Sequence, residues 1–368
     1  MLPGEGCVLE RDAPLELLAL FFQSSIRLPE ELERELDAVI DGMRAAGTDM
    51  RVELLGREFD RTDLLAINAY IERRAAVPVE PVGEECSQFA LWGERTLGSD
   101  LKGGLIAGRN MDGEIDIRKV TVSHFLVFAV EPSEPGRRRW VSTMWPGFVG
   151  TLSGVNEDGL YSMENAGPSA PGPTVSGVVP CSWIQRRALE TAGAEATAES
   201  IATMMDEFTS DGGGVTAAGS VILWAVPYRG QESPAFIYEG ERHGGLMRRP
   251  ADVRPLDPCD IMGTNHYRVY GVDPEKGPDF NFGRPVSCWR YSTGMATLEA
   301  WSRTGRQAGL AEMKQLLQNV ARGTTEYSVI FLANEMRILI ALDDLEADAW
   351  DAPHLAWRDF GFEDLFAH

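Results

Sequence analysis

No stretch of this chain reaches the ~18 apolar residues that a membrane-spanning helix requires. The segment Leu15 to Phe22 is apolar but short, and the residues before it are acidic where a signal peptide would be basic. It reads as a packed helix, and a cytoplasmic location is favoured. No CxxC pair occurs, and the five cysteines (Cys7, Cys86, Cys181, Cys259, Cys288) are scattered and odd in number. That excludes a zinc ribbon or thioredoxin-type site and argues against a disulfide framework. The five histidines form neither a metal-binding nor a triad spacing, so no metal and no cofactor is expected. Basic residues are scarce: 34 against 56 acidic, a net charge of −22. A chain this acidic repels nucleic acid and anionic membrane and mildly disfavours anionic substrates. No internal repeat is present.

What remains is an ordinary globular composition, 44% apolar and 24% charged. The length of 368 residues suits one large domain or two unequal parts. Residues 1 to about 75 read as helical. Pro29-Glu-Glu-Leu32 opens a helix whose Leu32, Leu36, Val39, Ile40 and Met43 share one face, and a second helix starts near Thr62-Asp63. Arg74 to Glu85 reads as a linker, and strands follow Cys86. Val120 to Val130 reads as one long strand, Trp140 to Trp145 as another, and Gly159 to Met163 as a third. Gly167 to Val179 is a Gly/Pro/Ser-rich loop. Helices return at 182–192 and 198–208, strands at 220–226 and 235–238, and a helix at 310–321. A hairpin around Ala-Asn-Glu joins Tyr327–Leu332 to Met336–Leu342. This order predicts an α+β fold, with antiparallel sheets packed face to face under helical outer layers.

Four polar groups stand out. Cys86 follows the linker and opens an apolar strand. Gly108-Arg109-Asn110-Met111-Asp112 ends a strand on three polar side chains. Pro146-Gly-Phe-Val-Gly through Gly154-Val-Asn156-Glu-Asp-Gly-Leu160 reads as a hairpin, with Asn165 just after the following strand. Thr264-Asn265-His266-Tyr267 is followed by Ser287-Cys-Trp-Arg290. Taken singly, each fits a buried cysteine, a turn or a satisfied loop polar group.

Taken together and in order, the set resembles the C45 family of autoproteolytic acyltransferases and hydrolases, the isopenicillin N (6-aminopenicillanic acid) acyltransferase group. That group is similar to choloylglycine hydrolases, acid ceramidase-like amidases and phospholipase B-like proteins. Asp63-Leu-Leu-Ala-Ile-Asn-Ala69 resembles the segment that precedes their cleavage site, and Val179-Pro180 with Arg187 to Ala192 resembles their mid-chain helix. The resemblance spans roughly residues 60 to 345. It implies a four-layer αββα N-terminal-nucleophile sandwich over 86–368, preceded by a helical segment, 1–85, that stays with the catalytic part once cut. It implies an amide hydrolase or acyltransferase acting on a linear N-acyl substrate through a thioester on Cys86. By the same resemblance, Cys86 is the nucleophile and its freed α-amine the base. Arg109 and Asp112 orient the cysteine, Asn265 serves the oxyanion, and Asn165 and Arg290 belong to the same site. Two departures stand out. Glu85 occupies the position where these acyltransferases have Gly, and Gly93 to Lys102 looks like an added hairpin.

The chemistry is consistent with those roles. An α-amine with a reference pKa of about 7.7–8.0 can accept a proton from a thiol of about 8.5. A nearby guanidinium favours the thiolate. A side-chain amide at an oxyanion contributes about 2.7–4 kcal/mol. Two alternatives are an uncut thiol hydrolase pairing Cys86 with His124 or His266, and an inactive acyl-ligand-binding homologue. Trp92, Trp145, Phe148 and Tyr161 are candidates for an apolar pocket or for core.

Overall fold

A computed structural model describes residues 26–72, 85–113, 115–168, 177–207, 219–241, 243–253, 259–271, 285–345 and 351–367. The expected helix at Leu15–Phe22, nearly all of the linker and most of the 167–179 loop lie outside them.

In chain order, helix α1 (Glu30–Ala45) leads into two short paired strands, β1 (Arg51–Val52) and β2 (Arg57–Glu58), and then helix α2 (Arg61–Asn68). The N-terminal part is therefore not wholly helical. Gly56 adopts φ 65° and turns the chain between β1 and β2, a conformation that suits glycine. Asp60 caps α2 by accepting from the backbone of Thr62 and Asp63, while the Asp63 carboxylate accepts from the Asp60 backbone.

Strands β3 (Glu85–Leu91) and β4 (Ile106–Asp112) follow. The segment between them is a 3-10 turn at Gly93–Arg95 with further turns, not the expected hairpin; Thr96 Oγ1 ties it by donating to Gly104 O at 2.8 Å. Next comes helix α3 (Ile115–Thr121), then β5 (Leu126–Val130). The long strand expected over 120–130 is thus helix, 3-10 turn and only then strand. Thr121, Ser123 and His124 break the apolar run before Phe125, and tertiary context overrides β-branched propensity here.

The middle of the chain forms β6 (Trp140–Met144), β7 (Ser153–Asn156), β8 (Tyr161–Ala166), helices α4 (Cys181–Thr191) and α5 (Ala198–Asp206), then β9 (Ser220–Ala225), β10 (Ala235–Glu241), β11 (Gly244–Arg248) and β12 (Asp260–Gly263). Helices α6 (Pro285–Thr304) and α7 (Leu310–Asn319) precede β13 (Thr325–Leu332), β14 (Arg337–Leu342) and β15 (Trp357–Gly361).

Two antiparallel sheets result. One runs β11-β10-β9-β8-β7-β6-β5, the other β12-β3-β4-β13-β14-β15. Strand side chains alternate between faces, so each sheet has two apolar sides. The inner sides meet in one core: Ala90, Ala107, Val329 and Phe331 from the second sheet against Val155, Met163, Leu223 and Ile237 from the first. The outer side of the first sheet packs Ile222, Trp224 and Phe236 on Ile184, Leu189 and Ile201 of α4 and α5. The outer side of the second packs Phe89, Ile106 and Ile330 on Leu298, Met313 and Leu317 of α6 and α7. These are the four αββα layers expected. The N-terminal helices add a lateral cluster, Leu32, Leu36, Ile40 and Leu64, against Trp183 of α4. Asn68 fastens it by donating to Gly147 O at 2.8 Å and accepting from Val149 N at 2.7 Å.

Candidate active site

The alternation of β3 and β4 fixes where each polar side chain goes. Ala90 and Gln88 face the opposite sheet, Gln88 reaching Val221 O at 2.9 Å, and Cys86 shares their parity. On β4, Asn110 faces α7, donating to Leu317 O at 2.8 Å, so Arg109 faces inward. Cys86 and Met111 are register partners. The result is that Arg109 Nη2 lies 3.3 Å from Cys86 Sγ. Arg109 is 2% exposed and fully engaged. Its Nη1 donates to Ser153 Oγ and Tyr327 OH, each at 2.9 Å, and its Nε donates to Asn165 Oδ1 at 3.3 Å.

The backbone atoms of Cys86 are held as closely as its thiol. The Cys86 N–H donates to Asn265 Oδ1 at 2.8 Å. Its carbonyl accepts from Asn165 Nδ2 at 3.3 Å and from Arg290 Nη1. Arg290, wholly buried on α6, also donates through Nη1 to Ser87 Oγ and through Nη2 to Asn265 Oδ1, each at 2.8 Å. Its Nη1 stands 4.0 Å from Asp112 Oδ2. Asp112 Oδ1 accepts from Thr325 Oγ1 at 2.6 Å, and its Oδ2 has no hydrogen-bond partner among the described residues. All six residues singled out in the sequence therefore meet at the start of β3. Asn165 sits within β8 rather than after it, opposite Val221. Asn265 presents its oxygen to the Cys86 nitrogen, while its Nδ2 donates to Ala166 O at 2.7 Å. This amide thus secures the Cys86 nitrogen, and its donor is occupied.

Burial pushes the Cys86 thiol up, opposed by Arg109. Burial raises the Asp112 carboxyl to about 6, opposed by Arg290 and Thr325. Beside it, burial and the neighbouring Glu72 raise Glu164 to about 8. Glu164 faces α4, where its Oε2 accepts from Gln185 Nε2 at 2.6 Å. Glu72 Oε1 in turn accepts from the N–H of Cys181 at the start of α4, a favourable place for a carboxylate.

Cys86, Arg109 and Asp112 form one wall of a cavity of about 400 Å³. Ile67 and Ile71 from the N-terminal part, Val120, Trp145, Phe148 and Leu152 supply the apolar remainder. Of the four aromatics considered from sequence, Trp145 and Phe148 line the cavity, whereas Trp92 and Tyr161 are core. His124 stands at the same cavity, its Nδ1 2.8 Å from Val120 O. His266 packs edge-on against Tyr291, and burial with Arg268, Arg248 and Arg290 depresses it to about 3, which makes it a poor base. Among the described residues Sγ is contacted by Arg109 and the Asp112 backbone, not by a histidine.

The sequence did not single out Asn68, Ser153, Glu164, Glu326 or Tyr327. The acids had a signal: Glu164 and Glu326 are the single charged residues of β8 and β13. No group of three or more His, Cys, Asp and Glu suited to a metal occurs among the described residues, and no helix among them is long and apolar enough to cross a membrane.

No protein-family model matches this sequence, and no curated protein matches it. Among solved structures, the chain is similar to a Caenorhabditis elegans ortholog of N-acylethanolamine-hydrolyzing acid amidase, at 15% identity over 67% of this chain and 93% of that one, with a TM-score of 0.46. It is similar to a mutant of conjugated bile acid hydrolase from Clostridium perfringens at 11% identity, 75% and 96% coverage and a TM-score of 0.44. Penicillin V acylase from Agrobacterium tumefaciens gives 13% identity, 70% and 83% coverage and a TM-score of 0.38. At these values neither fold nor activity transfers, and the chemistry rests on the side chains themselves.

Proposed function

We propose that this protein is a cysteine N-terminal-nucleophile enzyme that cleaves or transfers the acyl group of a linear amide with an apolar flank. The observation that carries the reading is the double hold on one residue. Cys86 presents its thiol to a buried guanidinium at the cavity wall, while its backbone nitrogen is held at 2.8 Å by Asn265. Any buried backbone N–H needs a partner, but a cysteine used only for packing needs no guanidinium at its thiol.

Hydrolysis of the Glu85–Cys86 bond would free the Cys86 α-amine. Asn265 Oδ1 already faces that nitrogen. The amine takes the thiol proton, and the thiolate attacks the substrate carbonyl. As the tetrahedral adduct collapses, the C–N bond breaks and the α-ammonium returns the proton to the departing amine. Water, deprotonated by the same α-amine, then attacks the thioester and releases the acid; an acceptor amine in place of water gives acyl transfer. Arg109 stabilises the thiolate that burial otherwise disfavours. The newly formed α-ammonium adds a second positive charge, so cutting the chain and activating the thiol are one event.

The test is intact mass and N-terminal sequencing of the purified protein, followed by turnover of medium-chain acyl amides. The expected result is two fragments, one beginning at Cys86, with turnover abolished in Cys86→Ala. Undiminished turnover in Cys86→Ala would end the proposal.

A further inference from the structure

Strand β13 does not pair evenly with β4. Thr325 stands opposite Asp112 and Tyr327 opposite Met111, which leaves Glu326 as the extra residue of a β-bulge. A bulge takes one residue out of the ladder and re-aims its side chain. Glu326 joins Asp112, Gly113 and Thr121 in lining the cavity. It is 2% exposed, and its Oε2 has no hydrogen-bond partner among the described residues.

The chain also leaves space for this carboxyl group. A Cβ on Gly113 would stand 1.6 Å from Glu326 Oε1, so a larger residue there would displace it. The groups facing it are the Thr121 side chain, which hydrogen-bonds it, Asp112, Arg118 and Asp343. Arg118 partly opposes the effect of burial on Glu326. Its Nη1 donates to Gly323 O at 3.1 Å, and its Nε lies 3.2 Å from Asp343 Oδ2 without a hydrogen bond among the described residues. Burial raises Glu326 to about 7. A buried carboxylate with an unmatched oxygen costs several kcal/mol or is forced to hold a proton. The bulge and the glycine hold it in that position all the same.

We propose that Glu326 is the specificity-determining anchor of the cavity, receiving a cationic hydrogen-bond donor, an ammonium group carried by an otherwise apolar amide. An ammonium has three N–H donors and no acceptor. It satisfies Oε2 and relieves the repulsion between Glu326 and Asp112. Ile67, Ile71, Phe148 and Leu152 take the hydrocarbon part. The net charge of −22 draws cations toward the protein. The amide in this statement rests on the proposed function; the anchor does not.

The test separates the two. Calorimetric titration near pH 8, above the value of about 7 for Glu326, compares N-(2-aminoethyl)octanamide with N-propyloctanamide on the full-length Cys86→Ala protein. A preference of about tenfold or more for the aminoethyl compound is expected, in keeping with a charge-assisted hydrogen bond. Adding Glu326→Gln, which keeps the shape, should erase the preference and leave the propyl compound's affinity unchanged. Glu326→Asp, which keeps the charge, should retain part of it. A preference that survives Glu326→Gln, an equal loss for both compounds, or no binding of either would overturn the anchor. Turnover by the Cys86-bearing protein is scored separately. Glu326-dependent binding without cleavage sinks the amide-hydrolase reading alone, and cleavage without preference sinks the anchor alone.

Discussion

Replacing Arg109 by Gln removes the only guanidinium that touches Cys86 Sγ among the described residues, at 3.3 Å. Two unit charges about 4 Å apart attract by about 4 kcal/mol at an effective dielectric near 20, which sets an upper limit. Arg109 is shared with Asn165, Ser153 and Tyr327, and Gln retains part of that polarity. Taking about half, ~2 kcal/mol, the thiolate population at fixed pH should fall about 30-fold. Second-order alkylation by iodoacetamide follows the thiolate, so its rate near neutral pH should fall by roughly ten- to thirty-fold. The assay is quantification of the Cys86-containing peptide by mass spectrometry across a pH series, with Cys86→Ala as blank. Arg109→Lys, which keeps the charge but not the fork, should lie between. Circular dichroism and urea unfolding check that the variants fold, since the loss of a buried charged partner costs stability of its own. A folded Arg109→Gln protein alkylated as fast as its parent would refute the reasoning.

Glu164 gives a pH signature. Its folded value of about 8 lies above the ordinary carboxyl value of 4.5. Its stabilising contribution is therefore complete below about 4.5 and lost as pH rises through about 8. Urea unfolding should show the parent losing on the order of a few kcal/mol more than Glu164→Gln between about pH 5 and pH 8; equal losses would count against the buried-carboxyl account. Asn68→Ala removes hydrogen bonds to Leu64 O (2.9 Å), Gly147 O (2.8 Å) and Val149 N (2.7 Å). At about 1 kcal/mol each net, stability should fall by about 2–3 kcal/mol, and a fall under half of that would show that the helical segment is held by apolar packing alone.

The sequence by itself determined what depends on local pattern. Short apolar runs placed the strands around Ser220–Ala225 and Tyr327–Leu342, helical spacing placed α1 and α7, and the order of polar motifs, through the family resemblance, nominated Cys86 and five residues around it. Where local pattern is ambiguous it failed, as over 115–130, and it gave no sign of β11, β12, α6 or β15. What only the tertiary structure decided is long-range. Asn265 meets Cys86 from 179 residues away, and it does so through its oxygen, on the backbone nitrogen. Glu326 enters the cavity because β13 slips one residue against β4 across 213 residues of chain. Register, burial and the direction of a side-chain amide depend on which strands become neighbours, and no window of adjacent residues carries that information.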